Sequence, residues 1–189
     1  YSSYESSAEA RMEWVKVYGL ITGHEQEASD FFEKKYDEIR KVDNLKKTGK
    51  TCAFFSLDAD GNVVVRSGSD YIPEMIKAAG GEYVFSDLEN PDKKSHSASV
   101  NVTFEEFYKT AKDADVLILN TTIEGGVSSL SALTDQNKLF NDFKAVKSGE
   151  VYETADSLYQ SVDKSAEVIK DMHRIFTGEE PEDFFTRLS

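Results

Sequence analysis

The stretch Ala78-Ala79-Gly80-Gly81-Glu82-Tyr83-Val84-Phe85-Ser86-Asp87 closes a helix on paired glycines and then starts a short aromatic strand. Glycine suits that stop because it takes left-handed backbone at little steric cost. Just upstream, Tyr71 to Ala79 reads as the helix itself, with Pro73 in its first turn, where proline is tolerated. Before it, Val63-Val64-Val65 is β-branched and extended, and Ser67-Gly68-Ser69-Asp70 breaks it. Cys52-Ala53-Phe54-Phe55-Ser56-Leu57 is an apolar run of strand length, followed by the turn composition Asp58-Ala59-Asp60-Gly61-Asn62.

Downstream, Glu89 to Ser99 is a polar loop, and Val102-Thr103-Phe104-Glu105-Glu106-Phe107 reads as a cap opening an acidic helix to about Lys112. Glu106 lies three residues after Thr103, as a capping box requires. Asp115-Val116-Leu117-Ile118-Leu119-Asn120 is apolar without alternation, the pattern of a parallel strand covered on both faces. Thr121 to Ser131 is a Gly/Ser/Thr loop, Leu133 to Phe143 a helix, and Val151-Tyr152 a short strand. Ser161 to Phe176 is a final helix ending before Gly178, followed by an acidic tail carrying Phe184 and Phe185.

Two helices precede all of this. Ala10, Trp14, Val17 and Ile21 make one apolar stripe stopped at Gly23. From about Glu25, Ala28, Phe31, Phe32, Tyr36 and Ile39 make a second, with Lys34, Lys35, Arg40 and Lys41 placed to suit the dipole at its end. Asn44 to Lys50 is a basic linker. The alternation predicts an α/β three-layer sandwich whose mainly parallel sheet is flanked by helices.

Composition narrows the function. The 189 residues suffice for one domain with a hydrophobic core, and a net charge of -13 repels phosphate backbones, which argues against nucleic-acid binding. No apolar run approaches the roughly 20 residues of a membrane span. The chain opens on Tyr1-Ser2-Ser3 without a signal peptide or lipobox, and reads as a mature or trimmed fragment. The single cysteine, Cys52, excludes an internal disulfide and sits in an apolar strand as a small hydrophobe.

Catalytic patterns are not found. There is no Gly-x-Gly-x-x-Gly and no phosphate-binding Gly-x-x-x-x-Gly-Lys-Ser/Thr loop, and Gly125-Gly126-Val127-Ser128 does not meet the order of a nucleophile elbow. His24, His96 and His173 are isolated, in no metal-binding spacing, and read as surface residues. These readings predict a binding protein with no catalytic residue, no metal ligand and no cofactor.

The order helix, Ala-Gly-Gly, short strand, polar loop, Thr-x-Glu-Glu helix, buried strand resembles one lobe of a substrate-binding protein of ABC transporters for iron-siderophores, haem and cobalamin. Phe143-Lys144-Ala145-Val146-Lys147-Ser148-Gly149-Glu150-Val151-Tyr152 is similar to the family's late Ala-Val-Lys-x-Gly-x-Val-Tyr segment. The resemblance implies two α/β lobes joined by a rigid helix, with the ligand between them. Residues 1–45 then supply the connecting helix, Ser7 to Ile21, and the helix after it. Residues 46–189 form the C-terminal lobe, and the N-terminal lobe is not in this sequence. It also implies an extracytoplasmic protein at the cell surface or in the periplasm, tied to the membrane only by a lipid anchor.

In open α/β sheets ligands bind beyond the carboxyl ends of the strands. Three loops are expected there: Arg66 to Tyr71, Asn120 to Gly125 and Thr154 to Gln160. Arg66 suits anionic groups, and Tyr71 and Tyr159 suit flat contacts. Ser67, Ser69, Asn120, Thr121 and Thr122 can hydrogen-bond, while Asp70 and Glu124 add negative charge. Within the resemblance, Glu105, with Glu106 beside it, matches the glutamate that docks on the transporter's permease. Two rival readings share this architecture: a chelatase- or nitrogenase-type enzyme subunit, and a single-domain protein-interaction module.

Overall fold

The computed structural model describes residues 5–42, 45–58, 61–91, 97–122, 127 and 129–189. The chain begins with α1 (Ala8–Thr22) and α2 (Glu25–Val42). The Ser7 side chain accepts the Ala10 N–H to cap α1, and Gly23 ends it at a φ of 76°. Then come β1 (Thr51–Leu57), β2 (Val63–Arg66), α3 (Tyr71–Ala78), β3 (Glu82–Tyr83), β4 (Ser99–Val102), α4 (Phe104–Ala111) and β5 (Val116–Leu119). The rest is α5 (Leu130–Gln136), α6 (Lys144–Ser148), β6 (Val151–Thr154), α7 (Ser165–Thr177) and β7 (Phe185–Arg187).

The strands form one sheet in the order β4-β2-β1-β5-β6-β7, with β3 also paired to β1. β1, β5 and β6 run parallel at its centre, and β3 joins β1 in parallel. The outer pairs, β1 with β2, β2 with β4 and β6 with β7, are antiparallel. The expected helix-flanked α/β sheet is therefore present, with a parallel centre and antiparallel margins. β5 is buried along its whole length, as its unbroken apolar run requires.

On one face of the sheet Phe55 stacks near Phe107 of α4, with ring centroids 4.7 Å apart. Phe140 and Phe143 extend this aromatic layer, 5.2 Å from one another. α2 and α3 both pack against α7. The paired glycines explain themselves here. A Cβ on Gly80, whose φ is 86°, would lie 2.3 Å from the Lys46 carbonyl oxygen, and one on Gly81 would lie 2.5 Å from the Phe176 ring.

Five elements depart from the sequence reading. The strand expected at Tyr83-Val84-Phe85 is Glu82–Tyr83, because residues 84–87 turn away once β1 has been paired. The helix expected over Leu133 to Phe143 breaks at Asn137, which adopts extended backbone and caps a 3-10 turn, Lys138–Asp142, by accepting the Leu139 N–H. The final helix starts at Ser165, preceded by 3-10 turns at Leu158–Gln160 and Val162–Lys164. β4 lies where a loop was expected to end, and the acidic tail folds back as β7.

That tail is clamped by one buried side chain. The Asp171 carboxylate on α7 accepts the backbone N–H groups of Glu182, Asp183 and Phe184, each at 2.8 Å. Phe184, Phe185 and Leu188 are then buried. The apolar stripe of α1 faces the other way from expectation: Ala8, Met12 and Gly19 are buried, whereas Val17 and Ile21 are 42% and 75% exposed.

Candidate functional site

The β1–β2 hairpin decides how the site assembles. Because β2 runs antiparallel to β1, the Arg66–Tyr71 loop leaves the sheet in the opposite direction from the loops after β5 and β6. The expectation that all three loops share one edge is corrected on this point. Arg66 still reaches the others, because its side chain projects from the same sheet face as Ser56 and Val64.

Arg66 is held through two of its guanidinium nitrogens and through its backbone. Its Nε donates to Asp70 Oδ2 at 2.5 Å and its Nη1 to Ser99 Oγ at 2.9 Å. The buried Tyr83 hydroxyl accepts the Arg66 N–H and donates to the Arg66 carbonyl, at 3.0 and 2.9 Å. Burial opposes the Arg66 charge, and the Asp70 carboxylate more than offsets it, so the guanidinium titrates above its ordinary range. The loop behind is fixed through its backbone: Ser67 N–H donates to Ala98 and Gly68 N–H to Leu88, both at 2.7 Å.

Asn120 follows β5 and donates from Nδ2 to the Tyr159 hydroxyl at 3.1 Å, while its Oδ1 accepts the Thr122 hydroxyl at 2.6 Å. Tyr159 meets Tyr71 edge-on, with centroids 6.5 Å apart. Burial pushes both phenols up, so each stays protonated; the Tyr71 hydroxyl is itself fully buried and makes no hydrogen bond among the described residues. The Arg11 guanidinium from α1 lies 3.9 Å over the Tyr71 ring.

Arg66, Tyr71, Asn120, Thr122 and Tyr159 are thus brought together. Thr121 is buried and turned inward: its N–H donates to Thr154 Oγ1 and its hydroxyl to the Thr154 carbonyl. Ser67 is buried, and its Oγ lies 3.4 Å from that of the exposed Ser69. Ser69 lines a different cavity of about 670 Å³, together with Asp70, Glu74, Lys77 and Lys47. Glu124 and Gly125, like His96, Gly126 and Ser128, lie outside the described residues.

Two participants escaped sequence reasoning. Arg11 lies among alternating charges on α1 and carries no motif. Asp70 was counted only as loop charge, although its i, i+4 spacing from Arg66 was visible. Among the described residues no group of three or more His, Cys, Asp and Glu is arranged to hold a metal ion. Cys52 is fully buried, and desolvation pushes its thiol up, which keeps it from acting as a thiolate.

The second predicted surface is the start of α4. Thr103 and Glu106 form the full capping box: Thr103 Oγ1 accepts the Glu106 N–H, and the Glu106 carboxylate accepts the Thr103 N–H. These bonds hold the Glu106 carboxyl below its ordinary range. Glu105 is exposed and makes no hydrogen bond or ion pair among the described residues.

Residues 2–158 match the family described as periplasmic binding protein. An uncharacterized lipoprotein of Methanocaldococcus jannaschii is 31% identical over 178 residues, covering 93% of this chain and 41% of that protein. An ABC transporter substrate-binding protein from Listeria monocytogenes superposes with a TM-score of 0.65 at 19% identity, over 89% of this chain and 64% of that one. The periplasmic heme-binding protein RhuT from Roseiflexus superposes with a TM-score of 0.69 at 16% identity, over 92% and 64%. These superpositions concern the fold. The chain spans about half the length of the curated relatives it matches, from 40% to 54%.

Proposed function

The chain belongs to the periplasmic binding protein family, and from that premise we propose that it is the C-terminal lobe of an extracytoplasmic solute-capture protein serving an ABC importer. The observation that carries this reading is the half-site itself. Arg66, Asn120 and Tyr159 come from three separated segments and present a cation, an amide and a protonated phenol, with Tyr71 buried against Tyr159. That inventory suits a polar, flat ligand such as a metal chelate of the siderophore, haem or cobalamin type. Enclosing it from a second lobe would supply the remaining contacts, with no bond made or broken. α1 is the connecting helix in this reading and α2 the helix after it, which fits an apolar α1 face left uncovered here.

Relatives described as lipoproteins support an anchored protein outside the cytoplasm. Glu105 is the proposed permease contact, since its neighbour Glu106 is engaged in the cap. The direct test is thermal unfolding of a two-lobed protein containing this chain, with ferric siderophores, haem and cobalamin in turn. A ligand at 100 times its Kd adds about 2.7 kcal/mol, so one class should raise the midpoint clearly. No shift with any of them would refute chelate capture. Glu105→Ala should lower uptake in cells while leaving ligand affinity unchanged, and full uptake by that variant would remove Glu105 from the interface.

A further inference from the structure

A small cavity of about 150 Å³ opens on the sheet between Phe54, Phe55, Ser56, Val64, Arg66, Ser99 and Asn120. Strand register explains why these residues meet. Ser56 pairs with Val64, and Arg66 pairs with Ser99, so all four side chains stand on one face. The Asn120 N–H donates to the Phe55 carbonyl at 2.6 Å, which sets Asn120 beside Ser56. At the roughly 30 Å³ that a water occupies in the liquid, the cavity admits a group of at least about five non-hydrogen atoms.

The hydrogen-bond inventory of its walls is one-sided. Ser56 is only 8% exposed, lines the cavity, and its hydroxyl has no partner among the described residues. Its Oγ is not sealed off, so it opens on the cavity and can donate to or accept from a group that enters. Ser99 Oγ accepts from Arg66, so its own O–H is free to donate. Arg66 uses Nε on Asp70 and Nη1 on Ser99, and its Nη2 makes no bond among the described residues. Asn120 Oδ1 is occupied by Thr122 and one Nδ2 hydrogen by Tyr159, which leaves the second Nδ2 hydrogen for the cavity. No described wall residue carries a carboxylate. Asp70 stands behind Arg66, where it answers part of the cation's charge.

We infer that this cavity is a subsite for one monoanionic acceptor group of the ligand, a carboxylate, gripped by Arg66, Ser56, Ser99 and Asn120. The inference rests on the solute-capture reading of the same face and deepens it by naming the group recognised. Asp70 limits the charge the subsite can take, because its carboxylate already pairs with Arg66.

The test needs only this chain, isotope-labelled, with sodium benzoate, benzamide and benzamidine as probes and backbone amide signals as readout. Benzoate should saturably shift the amides of Ser56, Arg66, Ser99 and Asn120, benzamide should bind about tenfold more weakly, and benzamidine should leave them unmoved. Ser56→Ala should weaken benzoate about threefold or more without lowering the thermal midpoint, and Ser99→Ala, which also frees Arg66 Nη1, should weaken it at least as much. Benzamidine binding in the same place would overturn the inference. So would benzoate shifts indifferent to both serine variants, or none at all. Failure of chelates to stabilise the two-lobed protein, with benzoate binding intact, would instead strike the transport reading alone.

Discussion

Helices α1 and α4 are both surface helices, and they differ in how many neighbours their sequences are written for. α4 has one apolar face, with Phe107 and Ala111 fully buried, and it gives Glu105, Glu106 and Lys109 to water. α1 is apolar on two faces. Ala8, Met12 and Gly19 point inward, and Gly19 sits so near α2 that a Cβ there would meet Ala28 at 2.4 Å. Val17, Tyr18, Leu20 and Ile21 point outward, and Leu20 is 65% exposed. Charges at Glu9, Arg11, Glu13 and Lys16 separate the two apolar sets, and the outer set lies uncovered toward the helix's C-terminal end. The apolar face of α4 is therefore covered by this chain's own residues, whereas α1 keeps Val17, Tyr18, Leu20 and Ile21 exposed.

The sharpest way to probe that contrast is by truncating side chains. Phe107→Ala removes the ring that touches Phe55, Phe85 and Phe143, and should cost about 3–5 kcal/mol in urea unfolding. Met12→Ala, on the inner face of α1, should cost about 2–3 kcal/mol by the same measurement. A cost near zero would mean that α1 is not docked on the lobe at all.

Acid provides the next effect, on the α4 side. Asp115, just beyond α4, accepts the Thr51 N–H and hydroxyl and the Lys144 ammonium. Burial works to raise its carboxyl, but these bonds outweigh it and hold the group at about 2, below the ordinary 3.8. The folded state thus binds fewer protons than the unfolded one. The contribution is present above about pH 4 and lost as the pH falls toward 2, and solvent screening limits it to about 1–2 kcal/mol. The stability gap between the parent and Asp115→Asn should close over that window.

The smallest effect should come from the outer face of α1. Ile21→Ser should change the stability of this chain by less than about 0.5 kcal/mol, as exposed substitutions do. In a two-lobed protein the same change should cost about 1 kcal/mol or more, because the side chain would then be buried. Equal values in both settings would break the comparison.

Local signals were legible where their cause was local. The Thr103–Glu106 box and the unbroken run of β5 could be read because each needs only a few adjacent residues. The apolar stripe of α1 was visible, but periodicity says that a face is apolar and not which neighbour covers it. β4 and β7 were missed because each is a short edge strand whose partner lies far off in sequence. In the site, Arg66, Tyr71, Asn120 and Tyr159 could be listed from loop positions. The bonds that join Asn120 to Tyr159 and Arg66 to Ser99 could not, since they span 39 and 33 residues.

The Asp171 clamp has a consequence for the order in which the chain is made. Until residues 182–188 exist, β6 is the margin of the sheet, with its outer row of backbone groups open to pairing with any other strand. Asp171 is synthesised before that segment and waits on α7 with a carboxylate that matches three successive N–H groups. In the folded chain those three bonds seat the strand that closes the margin, so that the outer row of β6 is paired from within.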